Sequence, residues 1–243
     1  MIVSAVCHVH SEWSYDGSWS LTALSTKFSQ RGCRVLMTTE HDRGFTPERF
    51  KEYRRACAEA SSEKILVVPG IEYSDSANRV HVLVWGPVPF LGESLPTDEM
   101  LEKVKSNFGV SVLAHPTRKG AWQCFVPQWR SNLLGIEAWN RKYDGWAPSD
   151  TASQLLHQSE CIPFVGLDFH TQRQSFPLTM TLDVEGSLTE DSVLDCLRGR
   201  RCSPQAFGSP LGREVFRKVL PMMRIAERSR RTAARFARKV GVL

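Results

Sequence analysis

Short apolar runs, each closed by a polar cluster, alternate along the chain with segments of helical periodicity. Val3–Cys7 predicts a first strand, closed by His8-Val9-His10. Leu21, Leu24 and Phe28 predict a helix from Leu21 to Gln30, with Gly32 as its stop. Val35–Thr39 predicts a second strand running into Glu40-His41. Thr46-Pro47 is an N-cap followed by proline at the first helical position, and predicts a helix to about Ala60. Ile65–Val68 is a third strand, turned by Pro69-Gly70 into Ile71-Glu72, and Val80–Trp85 alternates around His81 as a fourth. A helix over Asp98–Asn107 and a strand over Val110–Ala114 lead to His115-Pro116. Strands at Leu134–Ala138 and Ile162–Leu167 flank a helix near Ser149–Gln158. Thr189-Glu190-Asp191 opens a further helix, with its acids at the favourable end, and Cys202 begins a final extended segment.

Strands alternating with helices predict an α/β fold with mostly parallel strands. At least six polar clusters directly follow strands, which is how a barrel of the TIM type places its chemistry. The 243 residues, 42% of them hydrophobic, allow one large domain with a sizeable core, or a domain plus an appendage. No run approaches the length of a membrane span, and no basic leader with a cleavage signature opens the chain. The seven cysteines are odd in number and hold no C-x-x-C pair. They fit a reducing, cytoplasmic setting, with Cys7 and Cys161 as core residues.

The net charge of +5 is unevenly spread. From Leu211 onward there are ten Lys/Arg and two acids, against 21 basic and 24 acidic residues before it. The body is mildly acidic, as a site for several cations tolerates, and the basic excess lies in the tail. The expected division is a barrel over 1–206 and a basic helical extension over 207–243.

Six of the seven histidines sit at or near strand ends, and the seventh, His157, lies on a helix outside every cluster. In an extended strand, residues i and i+2 face the same way, so His8 and His10 can aim at one point. Asp168-Phe169-His170 repeats the device. With Asp16, His41, Glu72, His81 and His115 the set holds six imidazoles and three carboxylates. One metal needs three or four protein ligands, so nine suit two or three divalent metals. Mixed nitrogen and oxygen ligation favours zinc, manganese or iron over magnesium or calcium. Two members have plainer readings: Asp16-Gly17 as a simple turn, and His81 as a buried structural histidine.

The ordered set resembles a known family. His8-Val9-His10 with Ser14 and Asp16-Gly17, then Thr39-Glu40-His41, Gly70-Ile71-Glu72, His81, His115-Pro116 and Gly166-Leu167-Asp168-Phe169-His170, is similar to the motifs of the PHP (polymerase and histidinol phosphatase) superfamily. The resemblance covers roughly residues 1–206. It implies a distorted TIM-like (β/α)7 barrel with a trinuclear metal centre at the strands' C-terminal face. It also implies one metal on His8, His10, Glu72 and Asp168, a second on Glu72, His81 and His115, and a third on Asp16, His41 and His170. Glu40 stands where the family more often has aspartate. In a strand it faces away from His41, so it is expected behind the ligands rather than among them. Leu167 replaces a residue that is often serine, which would remove a hydrogen bond near the site.

The expected chemistry is hydrolysis of a small phosphomonoester such as histidinol phosphate, a nucleotide or a sugar phosphate. A water bridging two dications is deprotonated near neutral pH and attacks phosphorus. Arg43, Arg118 and Arg173 each follow a ligand by two or three residues, placed to grip the phosphate. The rival readings are a phosphodiesterase or nuclease, and a non-catalytic, metal-stabilised nucleic-acid-binding module. Trp13, Trp122, Trp129, Trp139 and Trp146 could line a pocket, though packing is the usual role of such residues. Cys124 lacks the basic surroundings of a nucleophile. Loops 86–97 and 119–129 are where substrate choice is expected. In the tail, Phe216, Val219, Leu220, Met223, Phe236 and Val240 mix with basic residues around Pro221. That pattern suits packing on the barrel, an anionic membrane surface or nucleic acid, and packing is favoured.

Overall fold

The computed structural model describes residues 1–239, so Val240 lies outside the described residues. The first half follows the apolar pattern closely. It runs β1 (Ile2–Val9), α1 (Leu21–Ser29), β2 (Val35–Thr38), β3 (Glu40–His41), α2 (Pro47–Ala60), β4 (Leu66–Val68), β5 (Gly70–Ser74), β6 (His81–Trp85), α3 (Thr97–Ser106) and β7 (Val110–Leu113). Two 3-10 turns, Arg118–Cys124 and Pro127–Ser131, lead to β8 (Gly135–Asn140), α4 (Arg141–Asp144), α5 (Asp150–Gln158) and β9 (Ile162–Gly166). The chain continues as β10 (Leu178–Asp183), α6 (Glu190–Arg198), β11 (Cys202–Ala206), β12 (Ser209–Pro210) and α7 (Glu214–Lys239). Helix starts fall where their caps do: the side chains of Thr46, Ser149 and Thr189 each accept a backbone N–H of the first turn.

The strands form two six-stranded mixed sheets, in the orders β12-β11-β10-β1-β2-β4 and β3-β5-β6-β7-β8-β9. The sheets meet along two seams. On one side β2 passes through Thr39 into β3, and β4 through Pro69 into β5. On the other, Val9 bridges Phe169, with Phe169 N donating to His8 O at 3.1 Å and His10 N to Phe169 O at 2.9 Å.

Several pairings depart from the expected parallel pattern, those of β10 with β11 and β11 with β12 among them. β6 runs antiparallel to both β5 and β7. The few residues between β5 and β6 are too short for the helical crossover that parallel neighbours need. β10, which the apolar runs did not announce, pairs antiparallel with β1. Its buried Leu178, Met180 and Leu182 alternate with less buried threonines, so it is a half-buried strand without a continuous apolar run.

The core holds Trp85, Trp139, Tyr53, Phe164 and Phe169, all fully buried. α7 packs one side onto this body. Phe216 is buried against Trp139 at 6.0 Å between ring centroids, and Leu220 and Met223 join the core. The buried Glu227 carboxylate accepts from Trp146 N at 3.1 Å and from Arg230 and Arg231. Arg231 in turn donates to the carbonyls of Tyr143 and Asp144, both at 2.8 Å.

Candidate metal centre

His8, His10, His41, Glu72, His81, His115, Asp168 and His170 converge at the ends of β1, β3, β5, β6, β7 and β9, and Asp16 reaches in from the loop after β1. The Glu72 carboxylate is the hub. His41 Nδ1 lies 3.1 Å from it, His81 Nδ1 2.7 Å, His115 Nε2 2.9 Å, His10 Nε2 3.3 Å and His8 Nε2 3.5 Å. Asp168 stands opposite, 3.6 Å from His10 Nε2 and 3.9 Å from His8 Nε2. Asp16 contacts the outer pair, His41 at 3.4 Å and His170 at 3.0 Å.

The convergence is not made by regular pleating. His8, His115 and Asp168 all adopt left-handed backbone conformations, with φ of 59°, 24° and 48°. The pairing of β1 with β2 slips between Cys7 and Val9. The same-side rule for extended strands therefore fails at both pairs that suggested it. A kink at the first residue of each pair turns the side chains inward instead. Non-glycine residues in this region are rare and cluster at functional sites.

For four of the six imidazoles the hydrogen bonds decide which nitrogen is offered. His8 Nδ1 donates to Glu137 Oε1 at 2.8 Å. Ser14 gives its hydroxyl proton to Glu40 at 2.6 Å and so accepts from His10 Nδ1 at 3.2 Å. His170 Nδ1 donates to the Asp168 carbonyl at 3.0 Å. With Nδ1 carrying the proton, the Nε2 lone pairs of all three point into the hollow, the arrangement expected of metal-ligating histidines. His8 Nε2, His10 Nε2 and Glu72 Oε2 are buried with no hydrogen-bond partner among the described residues.

His81 faces the same carboxylate hub. Its Nε2 donates to Asn78 Oδ1 at 2.6 Å, leaving the Nδ1 lone pair facing Glu72 Oε1 at 2.7 Å. Burial, ahead of every other influence, lowers its pKa, which favours the neutral ring. Acceptor then faces acceptor, and a cation between them removes the conflict. Burial also pushes His10 well below the usual range, helped by His41 and His170. At His41 burial is outweighed by Glu72 and Asp16, and the pKa rises to about 10. A proton and a metal ion compete for such a nitrogen. Three groups bring their ligand atoms within 4.8 Å of one another: His8, His10 and Asp168; His8, Glu72 and His115; and His10, His41 and His170. The residues present therefore fit a divalent metal cluster.

The hollow opens into a cavity of about 370 Å³ whose wall includes Arg43, Arg118, Tyr15 and Tyr143. Arg118 is held by Tyr143 Oη at 3.0 Å and by Asn78 through two 2.8 Å bonds. Arg173 is exposed and outside the cavity wall. The capping box of Thr171 and Gln174 turns the chain outward just after His170. No tryptophan lines the cavity among the described residues, and Trp129 and Trp139 are buried. Loop 86–97 contributes Glu93 and Ser94, loop 119–129 contributes nothing, and the β5–β6 turn contributes Asp75, Ser76 and Asn78. His157 is exposed on α5.

No protein-family model matches the sequence, and no curated protein matches it. Solved structures do match in three dimensions. A two-domain protein from Bacteroides vulgatus containing a predicted PHP-like metal-dependent phosphoesterase aligns with a TM-score of 0.66 at 17% identity, over 92% of this chain and 70% of that one. PsfC from Pseudomonas syringae aligns at 0.62 and 14% identity, over 94% and 98%. The lesion-specific endonuclease PfuEndoQ from Pyrococcus furiosus aligns at 0.57 and 16% identity, over 82% of this chain and 56% of that one. This chain shares the fold of these proteins, the first of which contains a predicted PHP-like metal-dependent phosphoesterase.

Within that fold, sequence reasoning missed three polar residues. Glu137, in the middle of β8, is 1% exposed and accepts from His8 Nδ1, from His115 N at 2.7 Å and from Asn140 Nδ2 at 2.8 Å. Asn140 also caps α4, whose Lys142 reaches Asp168 Oδ1 at 3.1 Å and lines the cavity. The available signal was a glutamate and an asparagine inside the apolar run 134–140, since a buried carboxylate demands partners. Glu40 lies behind the ligands, accepting from Ser11 and Ser14 and so fixing the hydroxyl that orients His10.

Proposed function

We propose that this chain is a PHP-type metal-dependent phosphoesterase acting on a small phosphomonoester. Its ligands would be His8, His10, Asp16, His41, Glu72, His81, His115, Asp168 and His170, around two or three ions of zinc, manganese or iron. The observation that carries the reading is the set of locked imidazoles, whose lone pairs and two buried carboxylates share one hollow. In this reading β1, β2–β3, β4–β5, β6, β7, β8 and β9 are the staves of a distorted seven-stranded barrel over 1–206, and 207–243 extends it. The unpaired state of all seven cysteines supports a cytoplasmic setting.

Bound metals supply Lewis acidity and a water that is acidic enough to attack near neutral pH. The chain's own residues bind and orient. Arg43, Arg118 and Lys142 offer cationic donors to the oxygens of a phosphate group. Burial pushes the Lys142 amine down, but Asp168 beside it more than offsets this. Lys142 therefore keeps its proton and acts as a charge rather than a base. Tyr15 and Tyr143 flank the entrance, and Ser74, Ser76, Asn78 and Ser94 give a polar wall suited to a hydroxylated or amino-bearing leaving group.

The likeness to a lesion-specific endonuclease supports a second reading, hydrolysis of a diester in nucleic acid by the same centre. A screen separates the two. Metal-loaded protein, with metal content measured on the same sample, is assayed on phosphorylated metabolites and on chromogenic monoesters and diesters. Faster turnover of the monoester is expected, and the reverse ratio selects the diesterase. Protein that holds its metals, hydrolyses no ester and binds nucleic acid in a salt-dependent way would be a non-catalytic module instead.

A further inference from the structure

α7 carries two apolar faces. Phe216, Leu220 and Met223 are spent on the body. Met222, Ile225 and Phe236 are 71%, 62% and 66% exposed, and Val219 is 40% exposed. Spacings of three, four and seven along Met222, Ile225, Ser229 and Phe236 put them on one side of the helix, away from the docked one. Exposed Ala226 and Ala233 continue the stripe.

The polar surroundings are almost entirely cationic. Between Glu214 and Lys239 there are nine Lys/Arg and two acids. Glu227 is turned into the body, and Glu214 is paired with Lys218 at 2.9 Å. Exposed Arg217, Arg228 and Arg235 form a row down one flank of the stripe, and Lys218 stands beside it.

We propose that this second face docks the protein on an anionic lipid bilayer, with α7 lying in the interface. No helix among the described residues is long and apolar enough to cross a membrane, so the helix rests at the surface. Apolar side chains enter the acyl boundary while arginine stems reach back to headgroup phosphates. Charge selects this occupant over others. A second copy meeting through the same face would bring two cationic helices together. Nucleic acid would use the arginine row but gain nothing from burying Met222, Ile225 and Phe236. The face needs no unfolding to bind, because Phe216, Glu227 and Arg231 hold the helix from the other side.

The test is sedimentation of the full chain with vesicles of phosphatidylcholine alone and of phosphatidylcholine mixed with phosphatidylglycerol. Binding to the mixed vesicles, weakened by salt, and little binding to neutral ones is expected. Met222→Glu with Ile225→Glu should cut partitioning by roughly tenfold or more, and Phe236→Glu should weaken it independently. All three sites are exposed, so circular dichroism and Tm should be unchanged. Absence of binding to anionic vesicles at low salt overturns the proposal, as does binding indifferent to these substitutions. So does a dimer in light scattering that the substitutions dissociate, or binding to single-stranded DNA without binding to lipid.

Discussion

The Glu137 carboxylate lies 2.8 Å from Nδ1 of His8, a residue 129 positions earlier in the chain. That one bond sets the tautomer of His8, and so decides that Nε2 is the atom turned toward Glu72 and Asp168. The same carboxylate fixes the backbone N–H of His115 at 2.7 Å. Glu137 therefore governs two of the proposed ligands without touching the hollow itself.

Replacing Glu137 with glutamine should loosen that control. An amide offers a single acceptor oxygen for three donors, and its NH2 would face one of them. Metal affinity should fall by about 10–100-fold, measured by competition with a chromogenic chelator. Unchanged affinity would remove Glu137 from the account.

Gly166 has no room for a side chain. A Cβ there would run into the Glu137 carboxylate and into Cβ of His8. Gly166→Ala should cost about 1–3 kcal/mol through overpacking and lower Tm in thermal denaturation. Metal affinity should fall with it, because the displaced group is Glu137.

Metal removal should itself destabilise the fold. Buried lone pairs at His8 and His10 have no protein partner among the described residues, and Glu72 and Asp168 are both buried. Ions that bind only the folded chain add about 2.7 kcal/mol at a hundred times Kd. Chelation should lower Tm, and adding back the divalent ion should restore it.

The cationic side chains should divide into two groups. Arg43, Arg118 and Lys142 line the cavity, and Arg173 does not. Alanine at any of the first three should reduce kcat/KM by about 10–100-fold, the loss of one charge-assisted contact. Arg173→Ala should leave it nearly unchanged. A large effect at Arg173 and none at the others would reverse the assignment of the phosphate-binding wall.

Asp144 predicts a pH dependence of stability. Burial raises its pKa to about 6, against the hydrogen bonds from Asn140 N and Thr117 Oγ1. The folded pKa lies above the unfolded value. Its contribution is therefore complete below the unfolded pKa and is lost as pH rises through about 6. Asp144→Asn removes the charge: its oxygen keeps the bond from Asn140 N, and its NH2 donates to Thr117 Oγ1, a hydroxyl that can accept as well as donate. The variant should gain on the wild type by roughly 1–3 kcal/mol between pH 4 and pH 7, seen as a Tm difference that grows with pH.

Most of the residues that gather at the hollow were legible in the sequence because they lie in or just after apolar runs, while Asp16 stands in a polar loop and His81 opens β6; chelation requires particular atoms whatever the backbone does. Helix starts at Thr46, Ser149 and Thr189 were legible for the same local reason: a cap is a contact within one turn. β10 was less visible, because half its residues face outward. The direction of β6 rests on the length of a turn rather than on any residue in the strand. The geometry of the paired ligands ran against the local rule, since kinks at His8 and Asp168, not the pleat, aim those side chains.

Sequence alone determined which side chains could bind metal and where most strands and helices begin, because those depend on residue type and near neighbours. Only the tertiary structure decided that Glu137 reaches His8 and Lys142 reaches Asp168, that Arg173 lies outside the cavity wall, and which nitrogen His8, His10, His81 and His170 present. Those outcomes rest on contacts between residues far apart in the chain, and a hydrogen bond across 129 residues leaves no periodic trace to read.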